Sequence, residues 1–121
     1  MSTGLLYSPR FLDHDTGPGH PERPERIQAI IDNLSETNLI NRLTIIVPEI
    51  RDSQLPQIVH DPAYLKRIAL SCDRGEQYID SFDNAIGEES FQVALLAANA
   101  AAQGVDHIME TPENNAVVLP R

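Results

Sequence analysis

The sequence predicts an α/β fold: a parallel sheet of roughly three strands flanked by helices. Three observations carry this. Short apolar, β-compatible runs stand at residues 5–7, 43–47 and 116–119, each stopped by a proline or by Ser8-Pro9. Segments with apolar residues at helical spacing lie between those runs. The alternation of the two implies parallel strands joined by right-handed crossovers.

The elements follow in order. Leu5-Leu6-Tyr7 reads as a buried strand, and residues 13–22, with two Gly and two Pro, read as a loop. Pro24 sits where a helix takes its first turn, with Glu25 beside the positive helix end. Ile27, Ile30, Ile31 and Leu34 then give one apolar face to about residue 37. Residues 43–47 are the clearest strand, β-branched and closed by Pro48. Residues 54–58 suggest a short helical turn. Asp61-Pro62 starts another helix with Tyr64, Leu65, Ile68 and Ala69 on one face. Residues 71–89 are polar and turn-rich and read as a long loop. Ser90 is the expected cap of an Ala-rich helix over 91–109. Its face of Phe91, Ala94, Leu95, Ala98 and Ala102 is expected against the sheet, and Gly104 within it costs about 1 kcal/mol relative to Ala. Residues 112–115 form a turn before the last strand, 116–119.

Composition narrows the function classes. The 121 residues are 41% hydrophobic and 22% charged, which excludes collagen-like, coiled-coil and disordered chains and suits a single unit over 1–121. Lys plus Arg is 9 against 18 Asp plus Glu, so the net charge is -9 and a phosphate backbone is repelled; no nucleic-acid partner is expected. The single Cys72 excludes a disulfide framework and fits a reducing cytoplasm. No apolar run nears the about 18 residues of a membrane span, and no secretory signal pattern opens the chain.

Candidate chemistry clusters at His14, Asp15 and His20 with Glu22, Arg23, Glu25 and Arg26. His and Asp suit a metal, but the spacing matches no zinc pattern, and a loop braced by its own bonds explains it better. Arg23 and Arg26 at a helix start suit a carboxylate or pair with their Glu neighbours. Asp80 and Asp83 offer a carboxylate pair. His60, Cys72, His107, Tyr7 and Tyr64 read as capping or packing residues. There is no phosphate loop, nucleophile elbow or HExxH motif.

Taken together, several segments resemble the histone deacetylase superfamily, most closely its bacterial deacetylase-like and acetoin-utilisation group. They are Leu5-Leu6-Tyr7-Ser8-Pro9, His14-Asp15, Gly19-His20-Pro21-Glu22-Arg23-Pro24-Glu25-Arg26-Ile27, Val59-His60-Asp61-Pro62-Ala63-Tyr64-Leu65, residues 83–90 with their Ala-rich continuation, and residues 116–121. The departures are Asn84, where that group commonly has Thr, and Asn99, where it often has Gly.

The resemblance implies the N-terminal part of a three-layer arginase/deacetylase fold, with the first strand between the second and third. It implies hydrolysis of acetyl-lysine or a related acetylated amine with one zinc. In that family the paired general-base histidines come directly after the position of Arg121, and the zinc ligands and the oxyanion-stabilising Tyr come later. No catalytic residue and no metal ligand is therefore expected in this chain, and zinc only in a full-length protein. The outer machinery does map: Arg26, His20 and Pro21 line the internal channel, and Asp83 holds the backbone of a bound substrate. A chain truncated before its catalytic half is expected to be inactive alone. The alternative is a stand-alone, non-catalytic module that self-associates or binds a deacetylase partner. The exposed edge of the third strand is expected to pair with another copy.

Overall fold

A computed structural model describes residues 2–113 and 115–120; what is expected of Asn114 and Arg121 lies outside them. In chain order the elements are β1 (Thr3–Leu6), α1 (Pro24–Glu36), β2 (Leu43–Ile46), α2 (Pro62–Asp73), β3 (Tyr78–Ile79), β4 (Ser81–Ala85), α3 (Ser90–Glu110) and β5 (Ala116–Val118). Short 3-10 turns occupy Pro9–Asp13, Leu39–Arg42 and Leu55–Ile58. The ends follow local chemistry. Ser8 accepts the Arg10 amide ahead of Pro9, and Asp61 accepts the Ala63 amide at 2.7 Å ahead of Pro62.

Strands β1, β2 and β5 form a parallel sheet in the order β2-β1-β5. The α/β fold and the central place of the first strand are as the sequence suggests. Gly4 lies beside Thr44 and Ala116, Leu5 beside Ile45 and Val117, and Leu6 beside Ile46 and Val118. The core is built from Phe11, Val93, Leu96 and Ala100, with Tyr7, Ile50, Ala97 and Val118 packed around it. Burial of such side chains contributes about 25 cal/mol per Å2 removed from water.

Four expectations are corrected. First, α3 presents Val93, Leu96, Ala100 and Gly104 to the core and sheet. Phe91, Ala94, Leu95 and Ala98 instead meet α2 around His60, Tyr64 and Ile68, while Ala102 is exposed. An added Cβ at Gly104 would stand 3.3 Å from Val118 Cγ2 and 3.4 Å from Leu6 Cδ1, so glycine there serves close helix–sheet approach.

Second, residues 71–89 are not all loop. They complete α2 and then form the antiparallel hairpin of β3 and β4. Ile79 pairs with Ser81 across Asp80, whose φ of +64° lies in the left-handed region. Arg67 from α2 grips the Asp80 carboxylate with both guanidinium nitrogens, at 2.7 and 3.2 Å.

Third, Ser90 does not cap α3: Glu89 holds the capping position, with no side-chain cap. Fourth, of the apolar face expected on α1, Ile27 is buried and Ile31 and Leu34 are half-buried, but Ile30 is exposed at 42%.

Polar side chains also fasten the fold. Asn99 and Gln103 are 2% and 6% exposed, and both bind the backbone that follows β2. Asn99 Oδ1 accepts the Arg51 and Asp52 amides at 3.0 and 2.9 Å, and Nδ2 donates to the Asp52 carbonyl. Gln103 Oε1 accepts the Glu49 amide, and Nε2 donates back to the Glu49 carbonyl. Each buried amide is thus satisfied at both ends. Among the described residues no helix is long and apolar enough to cross a membrane.

Candidate functional site

Two segments meet at one end of the molecule: residues 13–22, and the hairpin with its exit to α3. The first turns back on itself at Gly17 and Gly19, with φ of +84° and +78°. Several of its bonds are internal. Asp15 Oδ1 accepts the Gly17 amide at 2.9 Å, Thr16 Oγ1 donates to the Glu22 carbonyl, and His20 Nδ1 accepts the Glu22 amide at 3.0 Å. Nδ1 also lies 3.1 Å from the Glu22 carbonyl oxygen, so the ring sits against both backbone groups of Glu22. Pro21 is exposed beside it.

Arg26 Nη1 donates to Glu22 one helical turn earlier, and both side chains are about half exposed, so water competes for the pair. Arg23 lines a groove of about 530 Å3 with Asp15, Pro18 and Glu25, and Arg26 stays outside that lining.

On the second segment, Asp83 is exposed on β4, and no ion pair holds it among the described residues. Its neighbour Phe82 packs edge-on against Tyr78, with ring centroids 5.2 Å apart. Asp80 is tied to α2 by Arg67, and that hydrogen bond holds its carboxyl below the usual carboxylate range. The structure therefore ties Asp80 to Arg67 and gives Asp83 no ion pair among the described residues, so the two carboxylates do not share a partner.

The segments touch at His14, whose Nδ1 lies 2.6 Å from Ser90 Oγ. A second groove of about 640 Å3 runs between them, with Asp13, Asp15 and Pro18 on one side and Tyr78, Gly87 and Glu89 on the other.

The remaining candidates are placed plainly. His60 stacks against Tyr64, and His107 binds Glu113. Cys72 is buried. That burial pushes its thiol up, the Phe91 backbone amide pulls it partly back, and Asp73 and Glu76 raise it again. A thiol so placed is a poor nucleophile. Burial and the nearby Asp32 raise Tyr7.

The four histidines thus turn to four different neighbours. Among the described residues no three His, Cys, Asp or Glu side chains gather as a ligand set. A catalytic zinc takes three protein ligands, so these residues do not fit one. Ser90, Gly87 and Arg67 were not singled out from the sequence as site residues. The Arg67–Asp80 pair, thirteen positions apart, forms only when the hairpin folds back on α2.

The sequence profile of the histone deacetylase domain matches residues 20–121. This chain belongs to the histone deacetylase family. An uncharacterized protein of Synechocystis sp. is 36% identical over 112 residues, covering 90% of this chain and 36% of that protein. A probable deacetylase of Archaeoglobus fulgidus is 29% identical over 123 residues, covering 100% of this chain and 34% of that protein. The crystal structure of the HDA15 HD domain superposes with a TM-score of 0.88 at 27% identity, covering 99% of this chain and 35% of that one. The chain spans about a third of the length of the relatives it matches. As a member of the histone deacetylase family, it has the arginase/deacetylase-like α/β architecture that the motif over residues 19–27 suggested.

Proposed function

We propose that residues 1–121 form one α/β unit, the N-terminal scaffold of a zinc-dependent deacetylase-type amidohydrolase. Its substrate class is acetyl-lysine or a related acetylated amine. The 121-residue chain alone is catalytically inactive. The observation that carries this is a contrast: the backbone follows a deacetylase domain closely, yet its His, Asp and Glu side chains do not gather as ligands among the described residues.

In this reading His20, Pro21 and Arg26 belong to the wall of an internal channel, and Arg26 exchanges Glu22 for a carboxylate product. Asp83, exposed and without an ion pair among the described residues, holds substrate backbone amides. A zinc would be held by residues of a longer protein and would supply Lewis-acid polarisation and water activation there. A cytoplasmic setting belongs to the same reading and is supported by the lone, buried thiol.

A zinc-binding assay joined to a fluorogenic acetyl-lysine assay tests it. No stoichiometric zinc and no turnover are expected from the 121-residue species, and zinc-dependent turnover overturns the reading. A second reading, a non-catalytic module that pairs with itself or with a deacetylase, is favoured by the half-exposed Val117 on the edge strand β5. Coding sequence that continues into the paired histidines expected after Arg121 supports the first reading, and a stop codon after Arg121 supports the second.

A further inference from the structure

One side chain links the two segments that border the second groove. Ser90 is buried at the first turn of α3. Its Oγ accepts the Gly87 amide at 2.7 Å and lies 2.6 Å from His14 Nδ1. A hydroxyl has one proton to give. With Gly87 on one lone pair, Oγ still has its proton to give to Nδ1 and a second lone pair to accept from it, so the bond forms with either tautomer of the ring.

The backbones also close up at this point. A Cβ added to Gly87 would stand 3.1 Å from the Asp15 carbonyl oxygen. Three stretches of chain are thus referenced to a single atom: the hairpin exit, the start of α3 and the 13–22 segment. Of these, α3 is the fixed body, because Val93 and Leu96 lock it into the core.

We propose that Ser90 and His14 are positioning residues whose joint sets the spacing of the two segments, and with it the width of the groove between them. Its functional meaning rests on the reading of these segments as the rim of a deacetylase-type site. The joint itself is a property of this chain. Neither residue needs to touch a substrate to act. Losing the hydroxyl takes the Gly87 amide's acceptor and one partner of the His14 ring away together, and loosens residues 13–18 from the start of α3.

The test uses nitrogen-15-labelled protein, the whole 121-residue chain, as wild type, Ser90→Ala, Ser90→Thr and Gly87→Ala. In the wild type, long-range imidazole spectra recorded above the histidine titration show His14 in one tautomer with a hydrogen-bonded Nδ1. In Ser90→Ala that signature is lost and the Gly87 amide exchanges with solvent at least about tenfold faster. Resonances of residues 13–18 move together with those of 87–89, and Ser90→Thr restores both. Gly87→Ala, which keeps the hydroxyl, also moves residues 13–18.

The proposal is overturned if Ser90→Ala disturbs only residues 87–92 and leaves 13–18 and the His14 ring in place. A merely local role at the helix start gives that result. If Ser90→Ala fails to fold, Gly87→Ala decides, and unmoved 13–18 resonances reject the joint. No readout uses turnover, so failure here leaves the deacetylase reading standing, and failure of the zinc and activity assays leaves the joint standing.

Discussion

At the scale of single residues, the best-defended carboxylate is Glu113. His107 Nε2 and Thr44 Oγ1 both donate to it, and the His107 and Glu113 side chains are mostly buried. Those bonds, His107 first, hold its carboxyl below the usual carboxylate range, while burial opposes them. A folded-state value below the unfolded one means stability that is present above the unfolded value and lost as pH falls through the folded one. The thermal midpoint should therefore decline as pH drops below about 4, and Glu113→Gln should flatten that decline. Melting curves between pH 3 and pH 7 check this, and parallel acid limbs for the two proteins would reject it. Asp80 is shifted the same way by Arg67, but that pair is half exposed, so its share falls with added salt. The sequence placed His107 in the last turns of a helix, where positive charge suits the dipole. It did not show that the chain past Thr111 returns Glu113 to the same ring. Nor did it show that Gly4 is small because a Cβ there would lie 3.0 Å from His107 Cδ2.

Among the elements, α3 shows what a periodicity can and cannot say. Residues 93–98 are apolar without a break, so the pattern marks a buried helix and leaves its rotation open. The polar pair Asn99 and Gln103 stands at i and i+4 on that helix. It is buried because its amides replace water on the backbone of residues 49–52. That rotation brings Gly104 onto the sheet. Gly104→Ala gains about 1 kcal/mol of helix propensity and spends it on tight contacts with Val118 and Leu6, so its stability should stay within about 1 kcal/mol of wild type. Gly104→Val adds branched volume that those neighbours have no room for and should destabilise by about 2–3 kcal/mol in urea unfolding. Equal stability of the Val variant would mean that helix and sheet separate more easily than their contacts imply. The hairpin was illegible for another reason. Its strands are two and five residues long, the pairing is irregular between Tyr78 and Ile79, and its turn rests on Asp80 in a conformation most residues avoid.

For the molecule as a whole, the strand order came with the family resemblance, and the family was legible because a few motif residues shape backbone turns that sequence displays directly. Gly17 and Gly19 at positive φ, and Pro24 opening α1, are of that kind. The site was less legible, since Ser90 and His14 are 76 positions apart and meet only after folding. The same strand order sets a problem of association. Among the described residues β5 is an edge, and Val117 on it is 52% exposed. Val117 shares a register line with Leu5 and with Ile45, itself 46% exposed, so open hydrogen-bonding groups stand beside open apolar surface. Such an edge is a template for another strand, and a second copy is the simplest source. A net charge of -9 on each copy opposes this, and salt weakens the opposition as the screening length falls to about 10 Å at 0.1 M. Association should therefore strengthen as salt is raised, the reverse of an ion-pair interface. Size-exclusion chromatography with light scattering should show twice the chain mass at high protein and salt concentration. Val117→Lys, which sets a charge on that face, should shift the population toward single chains without lowering the thermal midpoint measured in dilute solution. A wild-type protein that remains a single chain at high concentration in both low and high salt would show that three residues followed by Pro120 are too short an edge to recruit a partner.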